Sequence, residues 1–343
     1  MPILTTTKLG GSASDVVLAK VGHGLMRMTW FPKDGVPTPD QEAFEAIKAG
    51  LDQLPPGVKM LLNSGGTSFL SHAAWHRRSL ALKGEFYGHT PRTGNVELLS
   101  RFFEKYPDYQ DKAFLSIKAS LSRHAAGSTT DLSKLHLDNS PENARRCVDL
   151  VLEKLRGTKK IDHYEFGRIL AGDSVEDNMR TLTALKAEGK FDHIGLSDCR
   201  AETVRRANAV VRITSNEIQV SPWSYNKEIR DAIETCGELG ITVWAWSPIG
   251  KIVGDNKNNA ITLALEEVAK KKNITLAQTC IAWVSSRGPH VMPLPGSSHK
   301  SRTLENLAAG DIVLPAENIA KIDEVVLANS DETARRIDDP HTN

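Results

Sequence analysis

Residues 161 to 197 read IDHYEFGRILAGDSVEDNMRTLTALKAEGKFDHIGLS, an apolar run, a stretch with helical period and a second apolar run. The apolar runs are short and carry β-branched or aromatic residues, as buried strands do. The middle stretch begins near Ser174 and ends at Gly189, and serine and glycine are residues that typically cap the two ends of a helix. A strand, a helix and a second strand are the unit of parallel sheets, so this segment predicts an α/β fold.

The same alternation recurs along the whole chain. Helical period returns in residues 94–106, 141–155, 201–211 and 226–240. The predicted strands are residues 20–28, 58–63, 113–118, 161–166, 193–197, 213–220, 241–246 and 291–295. Eight such units predict closure into a (β/α)8 TIM barrel, with a doubly wound open sheet as the alternative. We expect a single domain over residues 1–343, with a short C-terminal tail from about residue 329.

Charge and composition favour a small-molecule partner. The net charge of +1 and the pI near 7.7 provide no field that would gather nucleic acid or a membrane surface. No stretch is long and apolar enough to span a bilayer, and the N-terminus does not resemble a signal peptide. We therefore expect a cytoplasmic protein with no nucleic-acid or membrane partner. Because no exposed apolar stripe is evident, we expect a monomer.

Several common site patterns do not occur. Cys147, Cys199, Cys236 and Cys280 are scattered, without a CxxC pair, and are interpreted as reduced thiols. The sequence has no HExxH, and His72 and His76 in HAAWH have no acid or third ligand beside them, so no metal site is predicted. Neither a complete GxGxxG nor a P-loop is present, which argues against a Rossmann or P-loop nucleotide site.

Strings at the ends of the predicted strands resemble those of the aldo-keto reductase family, in the same order and over roughly residues 21 to 308. The strings are VGHGLMRMTW from Val21, EFYG from Glu85, LSIKAS from Leu115, GLSDC from Gly195, NEIQVSP from Asn216, WSPIG from Trp246 and VMPLPGSSHKSRTLENL from Val291. This resemblance implies a TIM barrel that uses NADP(H) to reduce a small carbonyl compound.

The resemblance assigns Tyr87 and Lys118 as the catalytic acid and its partner. Hydride addition places negative charge on the carbonyl oxygen, so the site needs a proton donor and nearby positive charge. An ammonium beside a tyrosine lowers the tyrosine pKa from its ordinary value of about 10. Lys118 also ends an apolar strand, where a charged group is costly unless it has a role.

The cofactor residues follow from the same resemblance. It implies that Ser197 and Asp198 contact the nicotinamide amide, and that Ser247 and Gly250 contact the pyrophosphate. The other predicted cofactor-binding residues are Glu217, Ser297, Ser298, Arg302 and Asn306. Backbone N–H groups and cationic side chains at the start of a helix suit a phosphate, whereas a solvated surface arginine is the alternative for Arg302.

The chain departs from the family pattern around Asn63, which we also place in the catalytic site. Asn63 stands where the family carries an aspartate, and an amide supplies no negative charge near Lys118, so we expect Lys118 to be less stable as a cation. Tyr87 follows Asn63 by 24 positions instead of the family's usual spacing of about five, which predicts an insertion at about residues 66–83. A functional loop and retained noncoding sequence are both compatible with such a segment.

Two further departures resemble the branch that includes fungal pyridoxal reductases. Gly167 stands where the family usually has a histidine, and Glu217 stands where most relatives have glutamine. The space left at Gly167, with the guanidinium of Arg168 beside it, could accept a compact aromatic aldehyde such as pyridoxal. We nevertheless expect Arg168 to pair with Asp173 or Glu176.

The leading hypothesis is therefore an NADP-dependent reductase that converts pyridoxal to pyridoxine. A broad aldehyde and ketone reductase is the alternative within the same class. A catalytically weak, NADPH-binding regulatory barrel is an alternative from another class, and an inactive product of a mis-assembled gene is a third possibility. Retention of both Tyr87 and Lys118 favours an enzyme.

Overall fold

The computed structural model describes residues 3–29, 36–65, 93–122, 137–170, 172–250 and 259–329. A short antiparallel hairpin, β1 (Thr6–Lys8) and β2 (Val17–Ala19), precedes an eight-stranded parallel sheet. The strands of that sheet are β3 (His23–Gly24), β4 (Met60–Gly65), β5 (Ala113–Lys118), β6 (His163–Glu165), β7 (His193–Ser197), β8 (Ser215–Gln219), β9 (Thr242–Trp246) and β10 (Val291–Leu294).

The eight strands pair in sequence order, and the first meets the last. Gly24 forms a parallel bridge with Gly296, and its N–H donates to the carbonyl of Pro295 at 2.9 Å. The N–H of Gly22 donates to the carbonyl of Pro293 at 2.9 Å. The sheet is thus a closed barrel, which confirms the TIM-barrel prediction and excludes the doubly wound open sheet.

Helices follow most of the strands and cover the outside of the barrel. They are α1 (Met26–Thr29), α2 (Asp40–Leu51), α3 (Gly94–Lys105), α4 (Pro141–Leu155), α5 (Val175–Ala187), α6 (Ala201–Val210), α7 (Lys227–Glu238), α8 (Ala260–Lys272), α9 (Leu276–Ser285), α10 (Lys300–Ala308) and α11 (Ala316–Asn329). Ser140, Ser174 and Asn226 cap the helices that follow them, each through a side-chain oxygen that accepts a backbone N–H. The helix starts predicted from the sequence are therefore confirmed at these positions.

The first predicted strand is shorter than expected. Of residues 20–28, only His23 and Gly24 form a strand, and the chain turns into α1 at Met26. The buried Asn95 amide donates to the carbonyl of Leu25 and to the hydroxyl of Thr29, both at 2.9 Å. These two hydrogen bonds hold the chain in the turn and end the strand.

The β1–β2 hairpin, which the sequence analysis did not predict, lies against the N-terminal end of the barrel. The N–H of Gly11 donates to the carbonyl of Gly240 at 3.0 Å, and the hydroxyl of Ser12 contacts His193 at 3.0 Å. Buried apolar side chains fill the barrel interior beside it; they include Leu18, Leu61, Phe114, Trp244 and Met292. A ligand site is therefore expected at the opposite, C-terminal edge.

The buried imidazole of His163 is hydrogen-bonded on both sides inside the barrel. His163 lies between two hydroxyls, with Nδ1 2.9 Å from Ser116 Oγ and Nε2 2.9 Å from Ser215 Oγ. Burial lowers the pKa of His163 well below its ordinary value, so the ring is neutral near pH 7. The four cysteines are buried and form no disulfide, in agreement with the prediction of reduced thiols. Within the described ranges, we find no helix of the length and apolarity needed to cross a membrane.

Candidate active site

The predicted site residues of the described chain lie at the C-terminal ends of the strands or in the segments that follow them. Lys118 is the last residue of β5, Ser197 is the last residue of β7, and Asn63 lies near the end of β4. In parallel strands of a closed barrel these ends share one rim, so residues that are far apart in sequence meet there. Tyr87 and the predicted insertion at 66–83 lie outside the described residues.

The ammonium of Lys118 is the centre of a fully buried polar cluster. Its Nζ lies 2.5 Å from Oε1 of Glu217 and 3.3 Å from Oε1 of Glu165. The Nδ2 of Asn63 donates to Oε2 of Glu217 at 2.6 Å. We call these four residues the lysine cluster. An ammonium in contact with the carboxylate of Glu217 is favoured in its charged form.

The expectation that Lys118 would be less stable as a cation, because Asn63 replaces an aspartate, is therefore wrong. Glu217 supplies the negative charge from β8, and Asn63 supports that carboxylate by donating to it. The structure shows that Glu217 contacts Lys118, whereas the cofactor-binding role of Glu217 stays a prediction.

Glu165 was not identified by the sequence analysis. It is the last residue of β6, pairs in register with Lys118 and is fully buried. Burial raises the pKa of Glu165 well above its ordinary value; Lys118 opposes the shift and Glu217 adds to it. The shift favours the neutral form of this carboxyl, and Glu217 is the carboxylate that lies closest to the ammonium. The sequence did contain a signal for Glu165, because a glutamate inside the apolar run IDHYEF is unusual. The same reasoning, a charged residue in an apolar strand, had pointed to Lys118.

The guanidinium of Arg168 is buried just after β6 and joins two predicted cofactor residues. It forms an ion pair with Asp198, and its Nη1 donates to Oγ of Ser197 at 3.1 Å. The prediction that Arg168 pairs with Asp173 or Glu176 is wrong. Those acids have other partners, because Asp173 accepts from amide side chains at 2.9 and 3.1 Å and Glu176 pairs with a surface arginine on α6.

The segment after β9 forms a tight turn at the same rim. Ser247 and Gly250 both have positive φ, 52° and 58°, and the N–H of Gly250 donates to the carbonyl of Ser247 at 2.8 Å. A Cβ at Gly250 would lie 2.4 Å from the indole of Trp223, so only glycine fits here. Residues 251–258, the loop that follows, lie outside the described part of the chain.

The turn between β10 and α10 carries the remaining predicted residues. Ser297 is buried, its carbonyl lies 2.9 Å from Nε2 of His23, and its hydroxyl accepts the N–H of His299 at 3.1 Å. Ser298 follows it and is partly exposed. Arg302 is exposed in the first turn of α10, and Asn306 is buried one turn further on. The helix N-terminus and its cation therefore face solvent at the rim, as an anion-binding turn requires.

No group of three or more histidine, cysteine, aspartate or glutamate side chains able to hold a metal ion occurs among the described residues. In the described part of the rim, the groups that can take part in chemistry include the lysine cluster, the arginine pair with Asp198, and the two turns after β9 and β10.

Comparison with known proteins agrees with this geometry. The chain is 29% identical to the probable pyridoxal reductase 2 of Schizosaccharomyces pombe, over 95% of this chain and 94% of that protein. It is 29% identical to an aldo-keto reductase of Gibberella moniliformis, over 68% of this chain and 76% of that protein.

Solved structures show the same fold. An aldo-keto reductase from Klebsiella pneumoniae, crystallised in complex with NADPH, superposes with a TM-score of 0.69 at 20% identity, covering 98% of this chain and all of the other. A thermostable aldo-keto reductase in complex with the inhibitor epalrestat gives a TM-score of 0.70 at 19% identity, covering 94% of this chain and all of the other. The sequence profile of the aldo/keto reductase family matches residues 83–327, more than two thirds of the chain. The chain is therefore an oxidoreductase that belongs to the aldo/keto reductase family.

Proposed function

We propose that the protein reduces a small carbonyl compound with NADPH, with Tyr87 as the proton donor and Lys118 as its partner. The observation that carries the proposal is the fully buried ammonium of Lys118, held at the C-terminal end of β5 by Glu217. A buried charge of this kind is expensive, and the lysine cluster fixes it at the rim where barrel enzymes react.

The residues present suit NADPH. The turn at Ser247 and Gly250 has no room for a side chain at Gly250, and it leaves Ser247 exposed at the rim, where its hydroxyl can donate to a pyrophosphate. The start of α10 offers Ser297, Ser298 and Arg302 to a second phosphate, and Asn306 lies on the same face as Arg302.

When bound, NADPH supplies the hydride, and the side chains of this chain supply the proton and the charge. Tyr87 donates its hydroxyl proton to the carbonyl oxygen as negative charge develops there. The ammonium of Lys118 stabilises the tyrosinate that remains and so lowers the pKa of Tyr87. Glu217 and Asn63 hold the ammonium in one position, which preserves the geometry that proton transfer needs.

We further propose pyridoxal as the substrate, with pyridoxine as the product. The support is the similarity to the probable pyridoxal reductase 2 of Schizosaccharomyces pombe over nearly the whole chain, together with the glycine at position 167. Arg168 is an unsuitable contact for the substrate hydroxyls, because its charge is neutralised by Asp198. A broad aldehyde and ketone reductase is the second candidate, since the family match covers that activity equally.

The experiment is NADPH oxidation by the purified protein in the presence of pyridoxal, compared with Tyr87→Phe. Tyr106→Phe is the matched control, because Tyr106 packs on the outside of the barrel against Phe44 and Phe102. We expect turnover by the parent and by the control, and a loss of about a hundredfold or more in Tyr87→Phe.

Three other results would change the proposal. Turnover of simple aldehydes but not pyridoxal would reject the substrate and keep the reductase. NADPH binding without turnover of any carbonyl would favour a regulatory barrel. Equal rates in the parent and in Tyr87→Phe would reject Tyr87 as the proton donor.

A further inference from the structure

Arg168 has a set of contacts that the reductase chemistry does not by itself require. Its guanidinium is 2% exposed, and its Nη1 donates to the carbonyl of Gly167 at 2.8 Å and to Oγ of Ser197 at 3.1 Å. The same guanidinium forms an ion pair with Oδ2 of Asp198. One arginine just after β6 therefore contacts both Ser197 and Asp198, the two residues at the end of β7 that are predicted to meet the nicotinamide amide.

Asp198 is held from a second side as well. The indole Nε1 of Trp246, the last residue of β9, donates to Oδ1 of Asp198 at 3.1 Å. Asp198 also has a φ of 48°, a backbone conformation that residues other than glycine rarely adopt. Because one carboxylate oxygen accepts from Trp246, the other is ion-paired with Arg168 and the backbone is in a costly conformation, the position of this carboxylate is closely determined.

The chemistry of arginine then fixes the hydrogen-bond direction at Ser197. A guanidinium only donates, so Oγ of Ser197 accepts from Arg168. The hydroxyl hydrogen of Ser197 finds no acceptor in the described part of the chain, and it is available to donate. Asp198, as an ionised carboxylate, can only accept. The two residues thus present a donor beside an acceptor, which is the complement of a primary carboxamide.

We propose that Arg168 is a positioning residue for the carboxamide of the nicotinamide, acting through Ser197 and Asp198. It directs the serine hydroxyl toward the amide oxygen and holds the aspartate to accept from the amide nitrogen. The inference rests on the proposed NADPH-dependent function. The ion pair with Arg168 also neutralises the charge of Asp198, which explains why an aspartate is acceptable in a site that binds an anionic dinucleotide.

The experiment measures dissociation constants for two reduced dinucleotides by quenching of tryptophan fluorescence. One is NADPH, and the other is its 3-acetylpyridine analogue, in which a methyl ketone replaces the carboxamide, so that the acceptor oxygen stays and the N–H donors are lost. Arg168→Lys keeps the charge but not the forked, two-point geometry. We expect this variant to raise the dissociation constant for NADPH about five- to tenfold, the range of one lost hydrogen bond, and to affect the analogue less.

Arg206→Lys is the matched control, because it makes the same substitution in a surface ion pair with Glu176 and should bind both dinucleotides as the parent does. If Arg168→Lys does not fold, the combined substitution of Arg168→Gln and Asp198→Asn, which leaves no buried charge unpaired, is expected to show the same selective loss of NADPH.

The outcomes separate the two proposals. A parent protein that binds neither dinucleotide would overturn the proposed function and this inference with it. A parent that binds NADPH normally, with Arg168→Lys unchanged or with equal losses for the two dinucleotides, would overturn the role of Arg168 and leave the proposed function standing.

Discussion

Replacing Glu165 by glutamine should stabilise the folded protein relative to the parent as the pH rises from 5 to 7. Glu165 is fully buried beside Lys118, and burial raises its pKa well above the ordinary carboxyl value. The folded parent therefore keeps this proton at pH values where the unfolded chain has released it. Glutamine has nearly the same shape as the protonated acid and does not titrate.

The sign and size follow from linkage. Below pH 4 both states of the parent hold the proton, and the stability that Glu165 contributes is fully present. Above the ordinary carboxyl pKa of about 4.3, the unfolded chain loses the proton first, so the parent loses roughly 1.4 kcal/mol of unfolding free energy per pH unit until the folded pKa is reached. From the ordinary carboxyl pKa up to the raised folded pKa, the stability of Glu165→Gln should thus rise relative to the parent by roughly 1.4 kcal/mol per pH unit.

Denaturant unfolding of both proteins at half-unit steps from pH 5 to pH 7 measures this difference. Groups that do not interact with Glu165 titrate alike in the two proteins, so their contributions cancel. Glu176→Gln is the control, because Glu176 is an exposed carboxylate whose pKa is lowered to about 2 by Arg206, and its difference from the parent should stay constant over the same range. A constant difference for Glu165→Gln would mean that Glu165 is already ionised at pH 5, and that Lys118 lies between two carboxylates.

Three other substitutions have expected outcomes. Asn63→Asp should lower the free energy of unfolding by about 2 to 3 kcal/mol in denaturant, because it replaces a donor to the Glu217 carboxylate by a second negative charge; no loss would contradict the pairing. Gly195→Ala should cost about 1 to 3 kcal/mol by the same measurement, since its Cβ would lie 2.2 Å from Nε2 of His163. Gly250→Ala should weaken NADPH binding in a fluorescence titration, because the turn at Gly250 has a φ of 58° and no room for a Cβ. An unchanged affinity for NADPH would argue against this turn as a pyrophosphate site.

The strands and helices were predictable because their signals are local. The run from Ile161 to Ser197 contains the periodicity of its strands and helix and also the capping serine, and the structure places β6, α5 and β7 there. The β1–β2 hairpin gave no comparable signal, since each strand has only three residues and little alternation. The first barrel strand was overestimated because the turn at Leu25 depends on Asn95, which lies 70 positions away.

The partners of the site residues were not predictable by the same means. Arg168 was expected to pair with acids close to it in sequence, but its partner Asp198 lies just after β7, the strand that pairs with β6. Lys118 and Glu217 are separated by 99 positions and still approach to 2.5 Å. Residue type and strand position indicated which side chains belong to the rim, whereas the contacts between them depend on the closure of the barrel.

The departures at Asn63 and Glu217 are best understood as one exchange. The pattern that the chain resembles has an acid at the first position and an amide at the second, and this chain has an amide at the first and an acid at the second. Because Nδ2 of Asn63 donates to Glu217 at 2.6 Å, an acid and an amide still face each other, and the negative charge has moved from β4 to β8. Glu217 then contacts Lys118 directly, so the ammonium keeps a carboxylate partner. An aspartate at position 63 would repel that carboxylate, which gives a physical reason for an asparagine here and argues against a damaged active site.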